Sequence, residues 1–494
     1  MKRSLLIFII LIMIGSLFAC AAAEEAGSIA NKNSDEVLTD EPENLDSLAA
    51  RQLVKDGLPD KDFGGDRFAI VTQTRMLDDV YIETEMGDVI LDAVYARNRA
   101  VEERFNVVIS AIDGIYTENN AFVSKNVLAG DDAFDLMLGQ AVATSELVMK
   151  DMMLDWYLLP YVNFAQPWWA RSTVDDLTYC GKAYIAIGDF SLSAMYATYC
   201  VYYDKVVAEN YGITDVYEIV NAGKWTIDKL SELTKDVYQD LNGDGVKDIK
   251  DYYGFSTDPS SNLNAYLWAF DNPVMRKDGD GIPTLVIKTD KIESIVEKIR
   301  AICYQNQGSF VDNNYKGEWN NYQGLSRDLF RDETVMFANG YLMMSVADFR
   351  NVTNEYGIIP YPKWDEAQER YLTMSDGFHG ILAVPKTVSD SEKIGVVTEA
   401  LCAESWKGVM PKYYDVALKV KGARDEESIA MIDMIMEGRV FDFGYIYDCW
   451  KGMSFAFERI LRDGKTGFET YYASNEQAVL KHYNSVLEYF EGVE

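Results

Sequence analysis

Residues 66–71 read Asp-Arg-Phe-Ala-Ile-Val, a short apolar strand, and the segments after it decide the fold class. From about Asp88 to Phe105 the apolar positions Val89, Ala93, Ala96, Ala100, Val101 and Phe105 fall on one side of a helix, and Asn106 to Ile112 is strand again. Strand, helix, strand predicts an open α/β sheet. Phe134-Asp135-Leu136-Met137-Leu138 adds a strand that ends in Gly139-Gln140. Tyr184 to Tyr203 holds two apolar runs separated by Gly188-Asp189, which reads as a crossing between lobes. A chain of 494 residues exceeds what one hydrophobic core supports, so two or more lobes are expected.

Further on, the pattern predicts helices over Thr226–Tyr238, Leu263–Phe270, Asp290–Gln305 and Ser326–Arg331, with a hairpin turn at Gly279-Asp280-Gly281. Strands are expected at Val335–Ala338, Leu342–Val346, Gly357–Pro362 and Gly380–Pro385. Helices follow over Ser391–Trp406, Glu426–Glu437, Cys449–Leu461 and Glu476 to the C-terminus.

Toward the N-terminus, Lys2 and Arg3 precede an apolar run from Leu5 to Phe18, which is the pattern of a secretory signal. The run is shorter than the roughly twenty residues a helix needs to cross a bilayer. Leu17-Phe18-Ala19-Cys20 resembles a bacterial lipobox, with Cys20 as the lipid-bearing, palmitate-carrying residue; an ordinary cut near Ala21–Ala23 is the alternative. Residues 21–62 hold eleven Asp or Glu against four Lys or Arg and read as a flexible, self-repelling spacer.

Hydrophobic residues make up 48% of the chain and charged residues 25%, an ordinary globular mixture. A net charge of -33 argues against a nucleic-acid partner, which would need Lys and Arg gathered on one face. Beyond Cys20 there are five cysteines, at 180, 200, 303, 402 and 449, with no Cys-x-x-Cys pair. Buried thiols are the plain reading, and a Cys180–Cys200 bridge stays open.

Catalytic signatures are scarce. Two histidines, His379 and His482, are too few for a His-based metal cluster, and neither Gly-x-Ser-x-Gly nor His-Glu-x-x-His occurs. One stretch does fit a metal. Asp240, Asn242, Asp244, Asp248 and Asp251 occupy positions 1, 3, 5, 9 and 12 of a calcium loop, with Gly245 at position 6 and the Val246 carbonyl at position 7. An acidic turn built of Asn, Asp and Gly for conformational reasons is the competing reading. Trp168, Trp169, Tyr196, Tyr199, Trp268, Trp319, Phe349, Phe378 and Trp450 stand in or near loops and element ends. Singly these aromatics read as core; near a cleft they would stack on the apolar face of a sugar ring.

The lipobox, Asp88–Val107, Phe134–Met137, the run Met343-Met344-Ser345-Val346-Ala347-Asp348-Phe349, the run Tyr356–Lys363 and Gly380–Glu404, in this order and spacing, resemble the solute-binding proteins of bacterial ABC importers that include the maltose-binding protein. The resemblance implies a type II periplasmic-binding-protein-like α/β fold, two lobes joined by a hinge around a ligand cleft. It divides the chain into a signal (1–19), an anchor and linker (20–62), a first lobe (63–185 with 357–410) and a second (186–356 with 411–494). It implies a monomeric, non-catalytic receptor on the outer face of the cell membrane that delivers a sugar to a permease; a glycan-active hydrolase or glycan-adhesion lipoprotein is the alternative. The ligand residues it implies are Asp348, Phe349, Arg350 and Trp450, with positional candidates at Gln140, Asp189, Asp376, Phe378, His379, Trp168 and Trp169.

Overall fold

The computed structural model describes residues 48–312, 324–419, 426–464 and 466–492. Cys20, most of the acidic spacer and Trp319 lie outside them. Arg51–Glu494 forms one compact unit, and the sheets belong to it. The strands, in chain order, are β1 (Asp66–Gln73), β2 (Val107–Gly114), β3 (Leu136–Gln140), β4 (Tyr199–Asp204), β5 (Tyr238–Gln239), β6 (Tyr252–Thr257), β7 (Met275–Lys277), β8 (Pro283–Leu285), β9 (Ser309–Val311), β10 (Val335–Tyr341), β11 (Tyr356–Ile359) and β12 (Gly380–Ala383).

The first sheet has the order β12-β3-β1-β2. β1 runs parallel to β2, with Asp66 opposite Val107, and parallel to β3; β12 is antiparallel to β3, with Gly380 opposite Gln140. The helix Val89–Phe105 makes the crossover between β1 and β2. Asp88 starts it by accepting the N–H groups of Ile90 and Leu91 at 2.9 and 3.2 Å, and Asn106 ends it at φ 50°. Phe68, Ile70, Leu136 and Leu138 are fully buried, as are Ile394, Val397 and Leu401 of the helix Ser391–Glu404. Each such side chain contributes roughly 1.5–3 kcal/mol by leaving water.

The second sheet has the order β11-β4-β10-β6-β5, with β9 beside β6. β6, β9 and β10 are mutually parallel through β6, while β4 is antiparallel to both β10 and β11. Two expectations are corrected here. Leu342–Val346 is not a strand, because Met343–Ala347 is a short helix; a continuous apolar run has no period that separates strand from helix. The lobe boundary at 357 also falls too early, since β11 pairs with β4 and belongs to the second sheet. Gly357 is glycine because the Tyr203 ring occupies its side-chain space: a Cβ there would lie 2.1 Å from Tyr203 Cε1.

Three crossing segments run between the sheets and are hydrogen-bonded to one another. In the central one, Met374 O accepts Tyr199 N–H at 3.0 Å and Asp376 N–H donates to Ala197 O at 2.9 Å, which ties it to the first crossing. Thr373 N–H donates to Gly438 O at 2.9 Å and Thr373 O accepts Val440 N–H at 2.8 Å, which ties it to the third. Arg439, on the third, donates to Ala194 O of the first at 3.1 Å.

Candidate functional site

The parallel strands of each sheet end at one edge: Gln73 and Gln140 in the first, Thr257, Val311 and Tyr341 in the second. The antiparallel β12 and β4 begin at those same edges, at Gly380 and Tyr199. Open α/β sheets bind ligands outside the carboxyl ends of their strands. Contacts join the two edges. The Arg75 guanidinium lies over the Phe378 ring at 4.9 Å, Phe378 meets Tyr341 edge-on at 5.7 Å, and Tyr341 meets Tyr199 at 5.8 Å.

Asp376 lies at the centre. Its carboxylate accepts the Tyr199 hydroxyl, the Phe378 N–H at 2.9 Å and the Ser261 hydroxyl. Burial holds this carboxyl above the usual range, opposed by those hydrogen bonds and by the charge of Arg75. The His379 Nδ1 stands 2.7 Å from Asp376 O; a carbonyl only accepts, so Nδ1 carries the hydrogen and Nε2 is a bare acceptor. Burial lowers this imidazole to about 4 and keeps it neutral. His379 Nε2, Gln73 Nε2, Gln140 Oε1 and Asn262 Oδ1 are buried without a hydrogen-bond partner. Buried polar atoms are costly unless paired, so this edge is chemically set to receive hydroxyl, amide or similar polar groups.

No family model matches the chain, and no curated protein matches it. Solved structures do. The maltose/maltodextrin-binding domain MalE from Bdellovibrio bacteriovorus, bound to maltotriose, is 14% identical with a TM-score of 0.54, over 85% of this chain and 99% of that one. An ABC substrate-binding protein from Listeria monocytogenes in complex with cycloalternan is 12% identical with a TM-score of 0.52, over 87% and 100%. UgpB from Mycobacterium tuberculosis in complex with glycerophosphocholine is 15% identical with a TM-score of 0.51, over 87% and 98%. The chain has the two-lobe fold of the ABC-importer solute-binding proteins. Identity this low carries the fold and not the ligand.

On this solute-binding fold the expected residues separate into three groups. Gln140, Asp376, Phe378 and His379 come together at the strand edges. Trp450 is 41% exposed, stacked on Phe455 at 5.0 Å and 22°, and its neighbour Cys449 lies 3.4 Å from Ser145 in the helix that starts after Gln140. It is not in a helix, however. Cys449 and Trp450 hold φ of 47° and 63°, and the helix begins only at Ala456, because two consecutive left-handed residues interrupt the turn. Backbone in this region is costly for a side chain as large as Trp and is retained where it presents something.

The second group is core. Phe349 is 1% exposed and packed between Tyr202 at 4.9 Å and Phe330 at 4.8 Å. Trp168 and Trp169 are buried, and both indole N–H groups bond to Glu399 at 2.9 Å. These three aromatics are therefore corrected from ligand contacts to packing. The third group lies elsewhere: Asp348 is ion-paired to Arg327 at 3.3 Å, Arg350 is exposed, and half-buried Asp189 sits at the crossing, where burial raises it to about 7 against the charge of Arg439.

Arg75, Tyr341 and Ser261 were not foreseen. Arg75 and Tyr341 lie within two residues of a strand's carboxyl end, a signal the sequence did carry. A cavity of about 110 Å³, lined among others by Asp176, Trp268, Arg276, Lys277 and Asp442, adjoins the central crossing: a smaller cavity that His379 lines shares Trp268, Val440, Phe441 and Asp442 with it. Two of its charged groups are committed: Asp442 accepts Trp268 Nε1, Val274 N, Met275 N and Gly444 N, and Arg276 pairs with Asp271 at 2.6 Å. The strand edges hold the unpaired buried polar atoms and are the better candidate. All five cysteines beyond Cys20 are free thiols, Cys180 and Cys200 included. Among the described residues, no helix is long and apolar enough to cross a membrane, and no three His, Cys, Asp or Glu side chains form a metal cluster.

Proposed function

We propose that this chain captures a small solute, a carbohydrate or oligosaccharide, between its two lobes and hands it unchanged to the permease of an ABC importer, held at the outer face of the cell membrane by lipid on Cys20. The observation that carries the reading is the lining of the strand edges. A buried carboxylate, Asp376, and the unpaired His379 Nε2, Gln73 Nε2 and Gln140 Oε1 gather at these edges, and Tyr445, which lies against Gly377, links them to the aromatic pair Trp450 and Phe455. A sugar needs both kinds of surface, a flat apolar platform for its C–H face and planar polar groups for its hydroxyl rim. The bound maltotriose and cycloalternan of the proteins named above are consistent with it; the glycerophosphocholine complex widens the set to be tried.

Thermal shift against monosaccharides, maltotriose, cycloalternan and glycerophosphocholine tests the reading, since a solute bound only by the native state raises its melting temperature. One or more carbohydrates should raise it and should be recovered intact after long incubation. Shortened product would make the chain a hydrolase, and a response to glycerophosphocholine alone would remove the carbohydrate assignment.

A further inference from the structure

The loop between β5 and β6 takes no part in the site. We propose that it is a calcium site in which Asp251 is the inward-facing ligand, with Asp240, Asn242, Asp244, Asp248 and the Val246 carbonyl completing the oxygen set.

The strands on either side close it as a hairpin, with Tyr238 opposite Tyr253 and Gln239 opposite Tyr252. Gly243 and Gly245 both hold φ of 71°, the turn that such a loop requires where it bends. Asp240 accepts the N–H groups of Gly243 and Gly245 at 2.7 and 2.9 Å, Asn242 accepts Asp244 N–H at 3.0 Å, and Asp244 accepts Val246 N–H at 2.7 Å. Short acidic turns make such bonds for conformational reasons alone, so they do not decide the matter.

Asp251 does. It is 0% exposed, although the loop before it is largely open to water. One of its carboxyl oxygens accepts the Tyr238 hydroxyl at 3.0 Å and the Asp248 N–H of the loop at 3.2 Å. The other, Oδ1, is buried with no hydrogen-bond partner. A turn needs no buried carboxylate, and an unpaired oxygen on one is costly. The carboxylate lies against the loop, because it is the loop amide of Asp248 that its other oxygen accepts. A hard dication supplies what Oδ1 lacks, and calcium prefers six to eight oxygens of this kind. The Lys247 ammonium is the nearby cation, but it donates to Gln307 O at 2.8 Å and leaves Oδ1 without a hydrogen bond. No three carboxylates already converge, because those of Asp240 and Asp244 are bonded to loop amides; binding must re-aim side chains on a backbone that is already bent.

The ion would tie the edge strand β5 to β6. Calcium should therefore govern stability more than solute affinity. Chelator-stripped full-length protein is titrated with calcium and, separately, with terbium, whose emission is sensitised by nearby phenols; Tyr238 bonds Asp251, and Tyr253 bonds Asp248 O at 2.7 Å. Wild type should give saturable terbium emission that calcium competes away, and a melting temperature several degrees higher in about 10 mM calcium than in chelator. Asp251→Asn should abolish both effects. Should that variant fail to fold, Asp240→Asn with Asp244→Asn at exposed positions must abolish them instead. Wild type with no calcium-dependent shift at about 10 mM, or folded variants that retain it, would overturn the site.

Discussion

Glu458→Gln is a perturbation whose size can be worked from the structure. Glu458 is 9% exposed; its carboxylate accepts Asn264 Nδ2–H at 2.9 Å and takes a longer 3.5 Å contact from Arg462, while its own N–H returns a bond to Asn264 Oδ1 at 2.9 Å. Burial lifts this carboxyl from 4.5 to about 7; Arg462 and Arg459 pull it down and Asp376 adds to the rise. Each pH unit between the folded and unfolded values is worth roughly 1.36 kcal/mol, so the difference amounts to about 3 kcal/mol. The folded chain binds the proton more tightly than the unfolded one. Stability is therefore fullest below about pH 4.5 and is lost as pH rises to about 7, above which the ionised group weighs on the fold. Gln keeps the acceptor for Asn264 and cannot ionise. At pH 5 the variant should melt only slightly above wild type; at pH 8 it should melt several degrees higher, at roughly 2–4 °C per kcal/mol for domains of moderate size. Subtracting the two melting curves cancels the other titrating groups. A difference that stays constant from pH 5 to pH 8 would refute the reasoning.

Trp450→Gly should hold or raise the melting temperature, because glycine relieves a φ of 63°, while solute affinity falls roughly tenfold with the lost stacking face; calorimetry and a melt on one sample check both. Asp376→Asn should stay folded and weaken solute binding by about 10- to 100-fold, the range for hydrogen bonds to a charged group, and affinity equal to wild type would remove Asp376 from the site. Saturating solute should reduce the radius of gyration by small-angle scattering, in wild type and in Asp376→Asn alike, and no change would exclude closure. Cys20→Ser should move the protein from the membrane to the soluble fraction with binding intact, as fractionation and blotting would report.

Legibility followed the strength of local signals. β1, the helix Val89–Phe105 and β2 were readable because an apolar run, a capping Asp88 and a left-handed Asn106 punctuate them within a short span. The helix Glu426–Glu437 ends at the expected Glu437, whereas the last helix begins at Phe468, eight residues before the expected Glu476. Sheet membership was less readable: nothing in Tyr-Gly-Ile-Ile says which of two sheets it joins, and only the pairing of β11 with β4 decides. The site divided along the same line. Gln140 and His379 fall at the strand edges as expected, because they adjoin recognisable strand ends. Phe349, Trp168 and Trp169 misled because an aromatic's neighbours, here Tyr202, Phe330 and Glu399, come from distant sequence.

The placement of Asp376 bears on how such a site would close. Asp376, Phe378 and His379 belong to the central crossing segment, which is hydrogen-bonded on one side to Ala197 and Tyr199 and on the other to Gly438 and Val440. Three segments bonded in this way would bend as one ribbon, and the groups on it would then stay beside a solute bound as proposed, whether the lobes are apart or together. Arg75 and Gln140 on one edge, and Tyr341 and Asn262 on the other, are carried by the sheets and change distance. A ligand shifts a two-state equilibrium only by the difference in its affinity for the two states. Contacts to Asp376 add to both states and set how tightly solute is held, whereas contacts to the sheet-borne groups form fully in one state and drive closure. That is why the Asp376 variant is expected to bind weakly and still compact at saturation.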